Sequence, residues 1–137
     1  MYSGSCACGA VSYELHGPLR PSVACHCVQC RKISGHYWSA TAVPRAALKL
    51  VSARALKWYR GSPHVRRGFC GICGSTLFWD NEDRDSISIG SGTLDEAGGL
   101  TTSHHIVVAE KGSYYNIPEG MPRYPGSGPE DGKGGPP

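Results

Sequence analysis

The chain has 137 residues, 39% of them hydrophobic, with 19 glycines and 10 prolines, which describes one loop-rich domain whose thin core gains from cross-links. Its net charge of +3 is unevenly spread. Ten basic and no acidic residues lie between Leu15 and Trp79, but they lack the dense run and interleaved aromatics of a nucleic-acid surface. No apolar run approaches the ~20 residues of a membrane span, and Met1 to Cys6 has neither the basic nor the apolar part of a leader. A reducing, cytoplasmic setting is therefore expected.

From the N-terminus, Cys6-Ala7-Cys8-Gly9 reads as a tight turn, with Gly9 free to take positive φ. Ala10 to Leu15 alternates between Gly9 and Gly17-Pro18, which predicts a strand. A short strand from Pro21 leads into Cys25-His26-Cys27-Val28-Gln29-Cys30. Val28 to Ile33 is expected to make one helical turn ending near Gly35. Tyr37 to Val43 is aromatic and β-branched and stops at Pro44. It predicts a strand with Trp38, Ala40 and Ala42 on one face and Tyr37, Ser39, Thr41 and Val43 on the other. Pro44-Arg45-Ala46-Ala47 suits a helical turn opened by proline.

Three further short strands are predicted over Leu48 to Val51, Leu56 to Arg60 and His64 to Phe69, with Gly61-Ser62-Pro63 turning between the last two. Phe69-Cys70-Gly71-Ile72-Cys73-Gly74-Ser75 has the spacing and glycines of a zinc knuckle, followed by a strand from Thr76 to Trp79. Asp80 to Asp85 is expected to be a solvated acidic hairpin loop. Ser86 to Ile89 and His104 to Ala109 read as strands, with loop at Asp95 to Gly99. Residues 126–137 are too rich in glycine and proline to bury surface and are expected to form a flexible tail, leaving residues 1–125 as the folded unit. Many short strands between turns make a mainly β domain.

The seven cysteines fall in three clusters: C-x-C at Cys6 and Cys8, C-x-C-x-x-C at Cys25, Cys27 and Cys30, and C-x-x-C at Cys70 and Cys73. An odd number in a chain without a visible leader argues for metal rather than disulfides. The glycine-flanked pairs Cys6/Cys8 and Cys70/Cys73 together make a closed four-thiolate site, for which zinc is the default ion. Cys25, Cys27 and Cys30 then remain as a three-thiolate site with an open corner. Spacing alone also permits Cys70 and Cys73 to join the central cluster. His26, His36, His104 and His105 are the histidines available to close it, with His26 expected to point away.

Three motifs now stand in order: Gly4 to Val11, Cys25 to Lys32, and Phe69 to Ser75. Together they resemble the glutathione-dependent formaldehyde-activating enzyme family, also called the GFA or CENP-V domain family. The likeness continues through His105-Ile106-Val107-Val108, Lys111, Tyr115 and Glu119 to Pro122-Arg123-Tyr124, with tyrosine near Tyr114 where the family carries tryptophan. It spans about residues 3–125. The resemblance implies a β-tent fold with two zinc ions per chain. It assigns Cys6, Cys8, Cys70 and Cys73 to a structural site and Cys25, Cys27 and Cys30 to a catalytic one.

The activity that the resemblance implies is a carbon–sulfur lyase reaction, the reversible joining of formaldehyde and glutathione to S-hydroxymethylglutathione. Zinc in that role either ionises the glutathione thiol or polarises the carbonyl. Three thiolates donate strongly to the ion and favour the first role. Arg31 and Lys32 follow the ligands and are the expected contacts for glutathione carboxylates. The partner is thus a small thiol or its adduct, self-association is compatible, and a membrane is not expected. A non-catalytic zinc module that binds protein or nucleic acid, or a labile-zinc thiol sensor, would share the metals and differ in what approaches the open corner.

Overall fold

The computed structural model describes residues 1–129 and is mainly β. A three-stranded antiparallel sheet is formed by β1 (Tyr2–Ser5), β2 (Ser12–Leu15) and β5 (Leu48–Ser52), in the order β1-β2-β5. The larger sheet contains β3 (Ser22–Cys25), β4 (Trp38–Pro44), β6 (Leu56–Arg60) and β7 (Val65–Cys70). It is completed by β8 (Thr76–Asn81), β9 (Ser86–Gly90) and β10 (Thr102–Ile106). Its order is β10-β3-β4-β9-β8-β7-β6, and every pair is antiparallel except β10 with β3. The one α-helix among the described residues, α1 (Val28–Ser34), leaves β3 and returns the chain to β4.

Alternation along the strands loads both faces of the larger sheet. Val43 of β4, Phe78 of β8 and Ile89 of β9 pack with Tyr13 and Leu15 of β2 to form one core between the two sheets. Trp38 and Ala40 of β4 and Trp79 of β8 point the other way. There they meet Val23, Ile106, Val107 and the three cysteines Cys25, Cys27 and Cys30. The face split expected for residues 37–43 therefore separates two cores, each of them small. The three-cysteine cluster is part of the second core, so any chemistry there is built into the packing.

Several sequence expectations are altered. The segment Tyr2–Ser5 forms β1, pairing with Ser12–Leu15. Its half-exposed residues give no alternation to read. Asp80 is not in a solvated loop: it lies near the end of β8 and is fully buried. Its carboxylate accepts from Arg45 Nη2 at 2.7 Å and Arg66 Nε at 3.0 Å, which is what makes the burial of a charge tolerable. The predicted strand over His104 to Ala109 instead ends at Ile106. Val107 takes a left-handed conformation, φ 54, and a 3-10 turn follows at Val108–Glu110.

A β-branched residue in that region costs about 1–2 kcal/mol. It is held there because Val107 N–H donates to Gly126 O at 2.8 Å and Val108 N–H to Tyr124 O at 3.1 Å. The kink swings residues 110–115 over α1. Of the stretch expected to be a flexible tail, residues 130–137 lie outside the described residues, and Gly126 is tied to Val107 by the bond just named.

Candidate metal centres

The first centre is assembled from two turns far apart in sequence. Gly9 (φ 81) and Gly74 (φ 80) close the turns at Cys6–Cys8 and Cys70–Cys73 in the left-handed region open to glycine. The four Sγ atoms lie within 4.8 Å of one another, with Cys6–Cys8 at 3.7 Å and Cys8–Cys70 at 3.8 Å. A tetrahedral ion with metal–sulfur bonds of ~2.3 Å needs sulfurs about 3.8 Å apart, so this donor set fits such an ion. Cys6 and Cys70 are buried, whereas Cys8 and Cys73 reach the surface. The amide N–H groups of Val11, Ile72 and Cys73 point at sulfur from 3.3 to 3.4 Å. Ser75 Oγ stands 3.3 Å from Cys73 Sγ, and its hydrogen bond leads the causes that pull that thiol down to about 5.

The second centre is compact in sequence and buried. Cys25 ends β3, Cys27 caps the N-terminus of α1, and Cys30 lies in the first turn. Cys30 N–H donates to Cys27 Sγ at 3.3 Å, and Gly35 (φ 81) stops the helix by donating to Arg31 O. The three Sγ atoms also lie within 4.8 Å of one another, and no histidine, fourth cysteine or carboxylate among the described residues joins them. Three thiols so close cannot share ionisation equally. Hydrogen bonds from the Cys25 and Cys30 thiols pull Cys27 down to about 2, while Cys25, bonded to the same ionised sulfur and buried, is pushed up. An all-thiol donor set with this spacing fits a soft or borderline cation.

The ring of His26 turns away from the sulfurs, as expected for a residue between two ligands. Its Nδ1 is 2.7 Å from Tyr115 Oη and its Nε2 is 2.8 Å from His105 Nδ1. Burial, followed by the fields of His105, His36, Lys111 and Arg123, lowers its pKa to about 4, so the ring is neutral near pH 7. Burial, Arg123 and His104 lower His105 as well. Lys111 Nζ stands over the Tyr115 ring at 4.6 Å, and Tyr114 Oη donates to Gly35 O. This cluster fastens the C-terminal segment to the loop that carries the cysteines.

One cavity of about 230 Å³ opens at Cys27 and is bordered by Val28, Gln29, Ser62 and Glu110. Glu110 Oε1 accepts from Val28 N–H at 2.9 Å. Arg31 and Lys32, the sequence-based contacts, sit on the last turn of α1 and do not line this cavity. Lys32 is exposed, and Arg31 is partly buried with no hydrogen-bond partner for its Nε. A larger cavity of about 600 Å³, lined by Pro18, Leu19, Ala42, Val43 and Asp85 among others, touches neither cysteine cluster.

Sequence reasoning gave no role to Arg67, Gln29, Glu110 or Tyr115. Arg67 is 4% exposed, and its Nη1 and Nη2 stand 3.8 and 3.9 Å from Cys30 Sγ. Its Nε donates to Gln29 Oε1 at 3.3 Å. The available signal was a second arginine in Arg66-Arg67 on an alternating strand, which must point inward if the first points out.

The family model for the glutathione-dependent formaldehyde-activating enzyme matches residues 1–110. This chain belongs to that family. The order of the cysteine motifs and their convergence into two centres fit the membership. A crystal structure of a Rhodobacter sphaeroides protein, determined as a structural-genomics target, shares the fold. Its TM-score is 0.61 at 22% identity, over 73% of this chain and 97% of the other. No curated protein matches the chain. No helix among the described residues is long and apolar enough to cross a membrane.

Proposed function

We propose that this member of the family is a zinc-dependent carbon–sulfur lyase that acts on glutathione, or another small thiol, and its formaldehyde adduct. The observation that carries this reading is the contrast in donor number. Four sulfurs close one centre, while three buried sulfurs, with a cavity opening at Cys27, make the other. Closed sites are structural, and sites with an open position are catalytic. In the synthetic direction the thiol sulfur forms a bond to the formaldehyde carbon, the carbonyl π bond breaks, and the thiol proton ends on oxygen.

Cys25, Cys27 and Cys30 would hold the catalytic zinc, and Cys6, Cys8, Cys70 and Cys73 the structural one. Zinc, when bound, supplies a positive centre that keeps a thiol ionised at neutral pH. Gln29, Ser62 and Glu110 border the approach to Cys27 and offer hydrogen-bonding groups to a peptide-like thiol. Arg31 and Lys32 would act from outside the cavity, as cations for the carboxylates of a ligand that extends along α1.

The test is exchange spectroscopy of formaldehyde with glutathione, with and without zinc-loaded protein. Exchange faster than in buffer, saturating with glutathione, is the expected result. Two bound ions with no acceleration at any concentration would sink the enzyme reading and leave a non-catalytic zinc module.

A further inference from the structure

Arg67 is a buried cation without a carboxylate. Among the described residues the nitrogens of its side chain hydrogen-bond only to Gln29, a neutral amide, and the sulfur of Cys30. A guanidinium stays charged at any pH at which the protein is folded, and burying it without an anion is costly. When a cation occupies the centre its three cysteines are thiolates, and that of Cys30 is the anion nearest to the guanidinium.

The two centres differ in this respect. At the four-cysteine centre the donors that point at sulfur are neutral: backbone N–H groups, with the Ser75 hydroxyl beside Cys73. Two of its sulfurs reach water, which screens the surplus negative charge of a dication with four thiolates. At the three-cysteine centre all three cysteines are buried, and solvent cannot do that work. A dication, three thiolates and the guanidinium sum to zero there. Both terminal nitrogens of Arg67 also draw electron density from Cys30, which weakens its donation and leaves an ion more receptive to another negative ligand.

We infer that Arg67 is a positioning residue of the three-cysteine centre, a built-in counter-charge that lets the open corner accept an anionic ligand such as a thiolate in preference to a neutral one. The inference rests on the reading that a metal occupies this centre, and it does not require that glutathione be the ligand. Gln29 serves as the bracket that fixes the guanidinium. Gly61 gives Gln29 its room, since a Cβ at Gly61 would lie 3.3 Å from Gln29 Nε2.

The test uses the full chain loaded with cobalt(II), whose visible absorption reports ligands at a thiolate site. Azide serves as the anionic probe and imidazole as the neutral one, titrated into wild type, Arg67→Met and Arg67→Lys. Azide affinity is expected to fall about tenfold or more in Arg67→Met, imidazole affinity to stay within about twofold, and Arg67→Lys to recover most of the loss. Equal effects on both probes, or on neither, would overturn the inference. Should Arg67→Met fail to take cobalt at this centre, Arg67→Lys decides. Retention of cobalt with the wild-type preference supports the counter-charge, and loss of cobalt there too marks a packing role and overturns it. Wild type that takes cobalt and azide but shows no response to glutathione would count against the proposed enzyme and leave Arg67 standing. Failure of wild type to hold cobalt at the three cysteines removes both.

Discussion

The four-cysteine and three-cysteine centres use the same ligand atom for opposite ends. The first joins turns 62 residues apart through sulfurs that are partly wet and served by neutral donors. The second gathers sulfurs from six consecutive residues, buries all three and sets a full positive charge against one of them. A ligand set that spans the chain closes a long loop and stabilises the fold. A ligand set drawn from one turn adds little to loop closure, so an ion held there would stabilise the fold less through the chain it spans.

The comparison is broken most severely at Cys70. Cys70→Ser is expected to destabilise the metal-replete protein by about 4 kcal/mol or more, a fall of about 12 °C or more in Tm, read by circular dichroism. A Tm within a few degrees of wild type would mean that the first centre is not the structural staple. Cys27→Ser should do the reverse. Thiol–formaldehyde exchange is expected to drop about a hundredfold or more, with one metal ion lost per chain and Tm changed by only a few degrees. Full activity with a single ion bound would contradict the division of labour.

Acid sharpens the contrast from the other side, because the buried His26 and His105 pair beside the three-cysteine loop. The folded pKa of His105 is lowered below the unfolded value near 6.5, so the unfolded chain takes up the proton first. Its contribution is therefore constant above that value and is lost as pH falls below it. Urea midpoints measured at about pH 8 and about pH 5.5 should fall more in wild type than in His105→Gln. Equal falls would show that His105 does not titrate in this window. The smallest expected effect is at Gly74, whose φ of 80 is strained for any side chain, although a Cβ added there would meet no atom within 4 Å. Gly74→Ala should cost about 1 kcal/mol, seen as a shift in Tm without loss of the three-cysteine metal.

Much of the fold was legible because the signals were local. The strand at Trp38–Pro44, the helical turn ended by Gly35 and the turn at Arg45–Ala47 follow from residue type and spacing within a few positions. The four-plus-three grouping of cysteines was legible as a pattern, though spacing left an alternative open that the structure closes. Asp80 was misplaced because its partners, Arg45 and Arg66, lie 35 and 14 residues away, and an acidic residue is solvated unless such partners arrive. The strand expected through Ala109 was cut short by hydrogen bonds from Val107 and Val108 to Gly126 and Tyr124, which no local propensity anticipates.

By itself the sequence determined the candidate ligand atoms, their local turns and the family, because thiol spacing and glycine placement act over a few bonds. Only the tertiary structure decided which turns share a centre and which sulfur faces a charge. Arg67 meets Cys30 across 37 residues, and His26 meets Tyr115 across 89. At such separations the backbone's own preferences fix nothing, and the choice falls to which buried charge and which buried ring can find a partner once the two cores close.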